Sequence, residues 1–313
     1  MKEKTKILVI SDHPMAPSGV GTQTKYVISS LLRTGRYSAV CLGGAMTHPN
    51  YEPQKITDDD WGEEDWVVYP IDGYGSAEVI RSVIWQHKPD ILWFMTDPRF
   101  YPWLWQIENE VRAHIPMVYY HVWDNYPAPW YNKKWYDSND VIASISKLTY
   151  DVVNTVSPDV ENHYLPHAVD GDVFRILPDD IVAEFKEENM PNHDDRMLFF
   201  WNNRNARRKQ SGTLAHWFSK FADEVGPDKV CLIMHTDSKD QHGQDLDALL
   251  RDFGNDDGRI VISRTKLPAP ALSLLYNMVD CTINISDAEG FGLATLESLA
   301  CGTPIIVNMT GGL

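Results

Sequence analysis

Two glutamates with seven residues between them flank a pair of glycines in Asp287-Ala288-Glu289-Gly290-Phe291-Gly292-Leu293-Ala294-Thr295-Leu296-Glu297. The segment reads as the end of a strand, a loop whose glycines permit close backbone approach, and the start of a helix. Glu289 then belongs to the loop and Glu297 to the second turn of the helix, so each carboxylate can meet a different part of one ligand. Carboxylates accept hydrogen bonds from hydroxyls such as those of a sugar, and the free N–H groups at a helix start suit an anion such as a diphosphate. A plain loop with surface glutamates is the bland alternative.

A second segment, Phe199-Phe200-Trp201-Asn202-Asn203-Arg204-Asn205-Ala206-Arg207-Arg208-Lys209, runs from a strand into four cations. In a chain with 28 basic and 44 acidic residues, net charge −16, such a cluster is expected to face phosphates, with Arg207 and Arg208 exposed. A solvated basic turn is the competing account. The loop Ser18-Gly19-Val20-Gly21-Thr22 is weak evidence by itself, because glycine turns after a first strand serve dinucleotides, phosphates and plain tight turns alike. It lacks the full Gly-x-Gly-x-x-Gly spacing, and no acidic residue ends a second strand at the distance a nicotinamide ribose needs, which counts against a dehydrogenase. Tyr119-Tyr120-His121-Val122-Trp123-Asp124 ends another expected strand, where ligands gather in open α/β sheets. A lone histidine there is usually structural. Trp123, Tyr126, Trp130, Tyr131 and Trp135 suit stacking on an acceptor, although packing explains them equally well.

The elements that position these residues follow from short apolar runs alternating with amphipathic stretches, the pattern of parallel strands joined by crossover helices, hence an α/β fold. Strands are expected at 7–10, 67–69, 91–94, 117–120 and 141–145, with helices at 22–33, 77–87 and 101–114. A polar, acidic stretch with Pro178 and Pro191 reads as a linker carrying a helix at 181–188. Strands at 197–201, 230–235, 260–263, 282–285 and 304–307 follow, with helices at 212–225 and 271–279. The expected domains are 1–170, a linker at 171–195, and 196–313. The end at Gly311-Gly312-Leu313, straight after a strand with no covering helix, implies a truncated chain and an incomplete second domain.

Composition narrows the function classes. The acidic balance disfavours nucleic acid as a partner. Four separated cysteines, Cys41, Cys231, Cys281 and Cys301, indicate neither a zinc site nor a disulfide framework and fit a reducing cytoplasm. No stretch approaches a membrane span, and the Asp58-Asp59-Asp60 run reads as a solvated loop, not a metal site.

Residues 289–297, followed by Ser298-Leu299-Ala300-Cys301-Gly302-Thr303-Pro304-Ile305-Ile306, closely resemble the donor-site signature of retaining glycosyltransferases, especially glycosyltransferase family 4, the glycosyl transferases group 1. The resemblance implies a GT-B fold: two Rossmann-like domains facing a cleft, the first for the acceptor and the second for a nucleotide-sugar donor. It implies hexosyl transfer from a nucleoside-diphosphate sugar to a glycan, lipid or small-molecule acceptor, with retention of configuration and without metal or cofactor. Glu289 would meet the donor sugar and Glu297 the ribose hydroxyls. Arg204 and Lys209, which have the family's five-residue spacing, would bind the diphosphate. Gly290, Phe291, Gly292 and Leu293 would complete the donor site, and Gly19 and Gly21 would lie in the loop closing over diphosphate and acceptor.

His121 matches the histidine that contacts the donor sugar in that family, with Asp124 beside it. His121, Glu289, Arg204 and Lys209 are therefore the implied catalytic set, and Asp124, Trp123 and Tyr126 the candidate acceptor contacts. Asn203 and Gln210 stand where the family places glycines around the phosphate motif. Residues 141–147 and 165–170 echo the family too and serve as fold evidence. With no clear nucleophile, a same-face reaction assisted by the leaving phosphate is the expected mechanism. A GT-B-fold epimerase or phosphorylase, and a non-catalytic nucleotide-sugar-binding protein, are the competing readings.

Overall fold

The computed structural model describes residues 4–190, 195–255 and 257–313; Pro191, in the expected linker, lies outside them. The chain divides into two compact units, one running to His167 and the other starting at Ala168. The stretch read as a linker falls to the second unit in this division.

The first unit contains β1 (Thr5–Asp12), α1 (Gly19–Arg33), β2 (Tyr37–Gly44), β3 (Gln54–Lys55), β4 (Trp66–Pro70), α2 (Ala77–His87), β5 (Ile91–Thr96), α3 (Pro102–Gln106), α4 (Glu108–Arg112), β6 (Met117–His121), α5 (Lys133–Asp137), β7 (Val141–Ser144), α6 (Lys147–Val156) and β8 (Glu161–Tyr164). Its eight strands lie in the order β3-β4-β2-β1-β5-β6-β7-β8, parallel except for the short β3–β4 pair. The order reverses direction at β1, so β1 and β5 define the crevice where such sheets hold ligands. Leu8, Ile10, Val40, Leu42, Leu92, Phe94, Met117 and Tyr119 form the core on one face of the sheet.

Two expectations are corrected here, and two unexpected strands are added. The helix expected over 101–114 is two short ones, α3 and α4, broken at Ile107. The glycine stretch is not a turn before a helix starting at residue 22; Gly19 and Gly21 form the first turn of α1. Strand β2, eight residues long, was not expected, because serine, cysteine and glycine dilute its apolar run; β8, a polar edge strand, gave no hydrophobic signal either.

The second unit contains α7 (Asp179–Asn189), β9 (Met197–Asn202), α8 (Ser211–Val225), β10 (Val230–His235), α9 (Leu246–Asp252), β11 (Ile260–Ser263), α10 (Ala269–Met278), β12 (Cys281–Asn284), α11 (Leu293–Ala300) and β13 (Ile305–Val307). All five strands are parallel, in the order β11-β10-β9-β12-β13. Side chains alternate across a strand, and this sheet is covered on both faces, which is why its strands read as unbroken apolar runs. Phe199 and Trp201 of β9 pack with Leu214, Ala215 and Phe218 of α8. Leu198 and Phe200, on the opposite face, pack with Leu275, Tyr276 and Met278 of α10, where Val182 and Phe185 of α7 join them. The strand order reverses between β9 and β12, so the loops leaving these two strands converge at one point.

Candidate functional site

The loop after β9 tightens into a single turn over Arg207–Lys209, and Gln210 adopts a left-handed backbone before α8 begins. The loop after β12 carries residues 285–292 and ends at Gly292, whose φ of +88° favours a residue without Cβ. No side chain caps α11, which leaves the amides of Leu293 and Ala294 as donors at its start. The two loops are tied together by the Asp287 amide donating to the Arg208 carbonyl (2.9 Å), by Arg208 Nη1 donating to the Ala288 carbonyl (2.6 Å), and by a Gln210–Asp287 side-chain hydrogen bond.

Between them Lys209 Nζ forms an ion pair with Glu289 Oε1, both side chains less than a tenth exposed. Asn284 Nδ2 (3.2 Å) and Ser286 Oγ (3.1 Å) crowd the same oxygen. Removing two charges from water is tolerated only when they meet each other and further hydrogen bonds, which is the arrangement here. Glu289 Oε2 faces Arg208 Nη1 at 3.8 Å. Three donors converge on this single carboxylate, Asn284 and Ser286 from its own loop and Lys209 from 80 positions away in the chain.

Glu297 lies one turn into α11, half-buried, and accepts a hydrogen bond from Tyr276 Oη (2.8 Å), while Tyr276 Oη accepts one from Asn202 Nδ2 (2.9 Å). Burial pushes the Glu297 carboxyl above its ordinary range, and the tyrosine hydrogen bond opposes that shift. Gly290, Phe291 and Leu293 line the same loop and helix start as Glu289. Within the second unit, Arg204 meets Asp240 and has no contact with Glu289. Its Nε and Nη2 bind Asp240 (2.6 and 3.2 Å), and its side chain is 61% exposed. The expectation that Arg208 is merely exposed is incomplete: it is 47% exposed yet anchored on the Glu289 loop.

In the first unit the expected residues are held differently. His121 is fully buried, with Nε2 bonded to Tyr136 Oη at 2.7 Å. Burial lowers its pKa to about 3, so it is neutral, and its Nδ1 has no partner among the described residues. Trp123 is buried, its Nε1 donating to the Asn125 carbonyl, whereas Tyr126, Trp130 and Tyr131 are exposed. Asp124 is partly exposed. A Cβ on Gly21 would stand 2.7 Å from the His13 carbonyl oxygen, so close backbone approach demands glycine there; Ser18 Oγ caps α1 by accepting from the Gly21 amide (3.0 Å).

Sequence reading missed the group beside that cap. Asp12, buried at the end of β1, accepts from Ser18 Oγ (2.5 Å) and Tyr74 Oη (2.6 Å), and Thr96 at the end of β5 has φ +119°, a strained conformation for a β-branched residue. It also missed Asn284, Ser286, Tyr276 and Asn202. The polar residues at the ends of β9 and β12 carried a signal, Asn202 and Asn284 each closing an apolar run; Tyr276 carried none, since it sits on a helix face indistinguishable from core.

Residues 184–313 match the model of the family described as glycosyl transferases group 1. Over 69 residues the chain is 38% identical to D-inositol 3-phosphate glycosyltransferase of Arthrobacter sp. (strain FB24), a stretch that is 22% of this chain and 16% of that protein. Over 76 residues it is 40% identical to the protein of the same name from Acidothermus cellulolyticus, again 16% of that relative's length. Among solved structures it is similar in fold to sucrose-phosphate synthase from Thermosynechococcus elongatus (TM-score 0.75, 16% identity, covering 99% of this chain and 82% of that one). It is similar too to Anabaena HepE in complex with UDP and glucose (TM-score 0.68, 14% identity, covering 98% and 82%). Residues 184–313 are thus similar to the glycosyl transferases group 1 family, and over its length the chain has the GT-B fold.

Proposed function

We propose that the chain is a metal-independent hexosyltransferase that moves a sugar from a nucleoside-diphosphate sugar to a hydroxyl of a glycan, lipid or small-molecule acceptor, with retention of configuration. The observation that carries this reading is the Lys209–Glu289 pair, set where β9 and β12 diverge and beside the uncapped start of α11. Cleaving the anomeric C–O bond leaves positive charge on the sugar ring and negative charge on the departing diphosphate. Lys209, Arg204 and the amides of Leu293 and Ala294 stabilise the diphosphate. Glu289 Oε2 accepts a hydroxyl of the sugar, and Glu297 accepts the ribose hydroxyls. The acceptor oxygen bonds to the anomeric carbon on the face the phosphate leaves, and its proton passes to the leaving phosphate oxygen. This path asks no side chain to act as nucleophile.

HepE, similar in fold, is known with UDP and glucose, and this supports a nucleotide sugar as the ligand class. The four cysteines are free and buried, in keeping with a cytoplasmic protein, and among the described residues no helix is long and apolar enough to cross a membrane.

The test incubates the chain with UDP-, GDP- and ADP-hexoses and an acceptor panel, follows nucleoside diphosphate release, and reads the anomeric configuration of the product by NMR. Nucleoside diphosphate binding with neither transfer nor donor hydrolysis overturns catalysis in favour of a binding protein, and an inverted product overturns the same-face path.

A further inference from the structure

We propose that Tyr276 is a positioning residue that sets ribose specificity: held by Asn202, it fixes the Glu297 carboxylate so that one oxygen is kept for a ribose hydroxyl of the donor nucleotide. The proposal rests on the glycosyltransferase reading, in which Glu297 accepts the ribose, and adds a residue that reading does not use.

Three elements meet at one hydroxyl. Asn202 ends β9, Tyr276 lies on α10 and Glu297 on α11. Tyr276 Oη stands 2.8 Å from Glu297 Oε2 and 2.9 Å from Asn202 Nδ2. An amide nitrogen only donates, and a phenol has a single hydrogen. With Asn202 donating to its lone pair, the tyrosine directs that hydrogen at Glu297, an acceptor-only group when ionised. Oε2 is thereby engaged, and among the described residues no protein group bonds Glu297 Oε1.

The tyrosine is itself held fast. It is fully buried, and its ring packs edge-on against Phe200 (centroids 5.1 Å apart) and Phe174 (6.2 Å). Its carbonyl accepts from Thr303 Oγ1 at 2.6 Å. Phenylalanine would fill this space equally well, so packing accounts for the ring and the two polar partners account for the hydroxyl. A glutamate side chain is rich in rotamers, and ordering it before the nucleotide arrives lowers the entropic cost of binding.

The experiment measures calorimetric affinity for UDP, GDP and ADP, then for the 2′-deoxy and 3′-deoxy forms of the best bound. The proteins are the wild type, Tyr276→Phe, Asn202→Asp, Glu297→Gln and the double variant Tyr276→Phe with Glu297→Gln, with melting curves to establish folding. Tyr276→Phe is expected to weaken the ribonucleotide about fivefold or more, the worth of one hydrogen bond to a charged group, while the deoxy form changes little, so discrimination between the two shrinks. Asn202→Asp places an acceptor opposite the tyrosine, draws its hydrogen away from Glu297 and lowers discrimination likewise. In the Glu297→Gln background Tyr276→Phe leaves discrimination where it was, because the tyrosine acts through that carboxylate.

Equal losses for the ribonucleotide and its deoxy forms in Tyr276→Phe mark a structural role and overturn the proposal, as does discrimination equal to wild type. A further fall in discrimination in the double variant overturns it too. If Tyr276→Phe fails to fold, Asn202→Asp decides: undiminished discrimination overturns the proposal. Failure of the wild type to bind any of the three nucleotides, or discrimination in Glu297→Gln equal to wild type, overturns the underlying reading of the ribose site and the proposal with it.

Discussion

The two switch points, β1/β5 in the first unit and β9/β12 in the second, share a topology and differ in how their polar groups are used. At β1/β5 Asp12 takes the hydroxyls of Ser18 and Tyr74, and at the end of β6 His121 Nε2 is held by Tyr136 while its Nδ1 has no partner among the described residues. At β9/β12 a lysine and a glutamate from separate loops meet, and donors are left over on Arg208 and on the α11 start. A buried ion pair, present at the second crevice as Lys209–Glu289, is what sets the two apart. The first crevice is built to hold its own backbone, including the strained Thr96.

The sharpest way to break this contrast is Lys209→Ala. It strands a buried carboxylate, which is expected to cost roughly 3 kcal/mol of folding stability in the second unit together with nucleotide binding and turnover. Urea unfolding followed by tryptophan fluorescence checks it, and a variant as stable as wild type contradicts the buried pair.

Glu297→Ala is next, expected to weaken nucleoside diphosphate affinity by about tenfold. An unchanged dissociation constant in calorimetry removes Glu297 from the site.

Tyr136→Phe probes the other side of the contrast. Leaving His121 Nε2 unpaired is expected to cost about 1 kcal/mol of stability while donor affinity stays level. A change in donor affinity at constant stability shows that His121 serves the ligand after all.

The smallest expected effect is in pH. In the proposed role Glu297 accepts the ribose hydroxyls as an ionised carboxylate, and burial raises its pKa above the ordinary 4.5, so affinity is expected to fall on acidification from a higher pH than an ordinary glutamate sets. Folding runs the opposite way: a raised folded pKa makes this group's contribution to stability greatest at low pH, lost as pH rises through the folded value. An affinity profile that Glu297→Gln leaves unaltered contradicts this assignment.

Much of the second unit was legible because its five strands are covered on both faces, and apolar runs such as 197–201 and 230–235 then need no alternation to be seen. Strand β8, Glu161–Tyr164, was invisible for the converse reason: an edge strand buries little, so its residues carry no hydrophobic signal. The helix over 101–114 failed at Ile107, where the chain breaks in spite of continuous amphipathic residues. At the site, Glu289, Glu297, Gly292 and Lys209 stood out because a strand end, a positive-φ glycine and a helix start are local events. The resemblance assigned Arg204 to the diphosphate and left Arg208 exposed, but the partners of both depend on where Asp240 and Ala288 lie in space.

Sequence alone therefore determined the alternating α/β order, the glycine at the start of α11 and the residue types at the ends of β9 and β12. These follow from backbone geometry and burial acting over a few residues. Only the tertiary structure decided that Lys209 faces Glu289, that His121 is sealed against Tyr136, that Arg208 meets the Ala288 carbonyl and that Arg204 meets Asp240. Each of these is a contact between parts of the chain brought together by sheet order, and a charge's partner is fixed by distance in space.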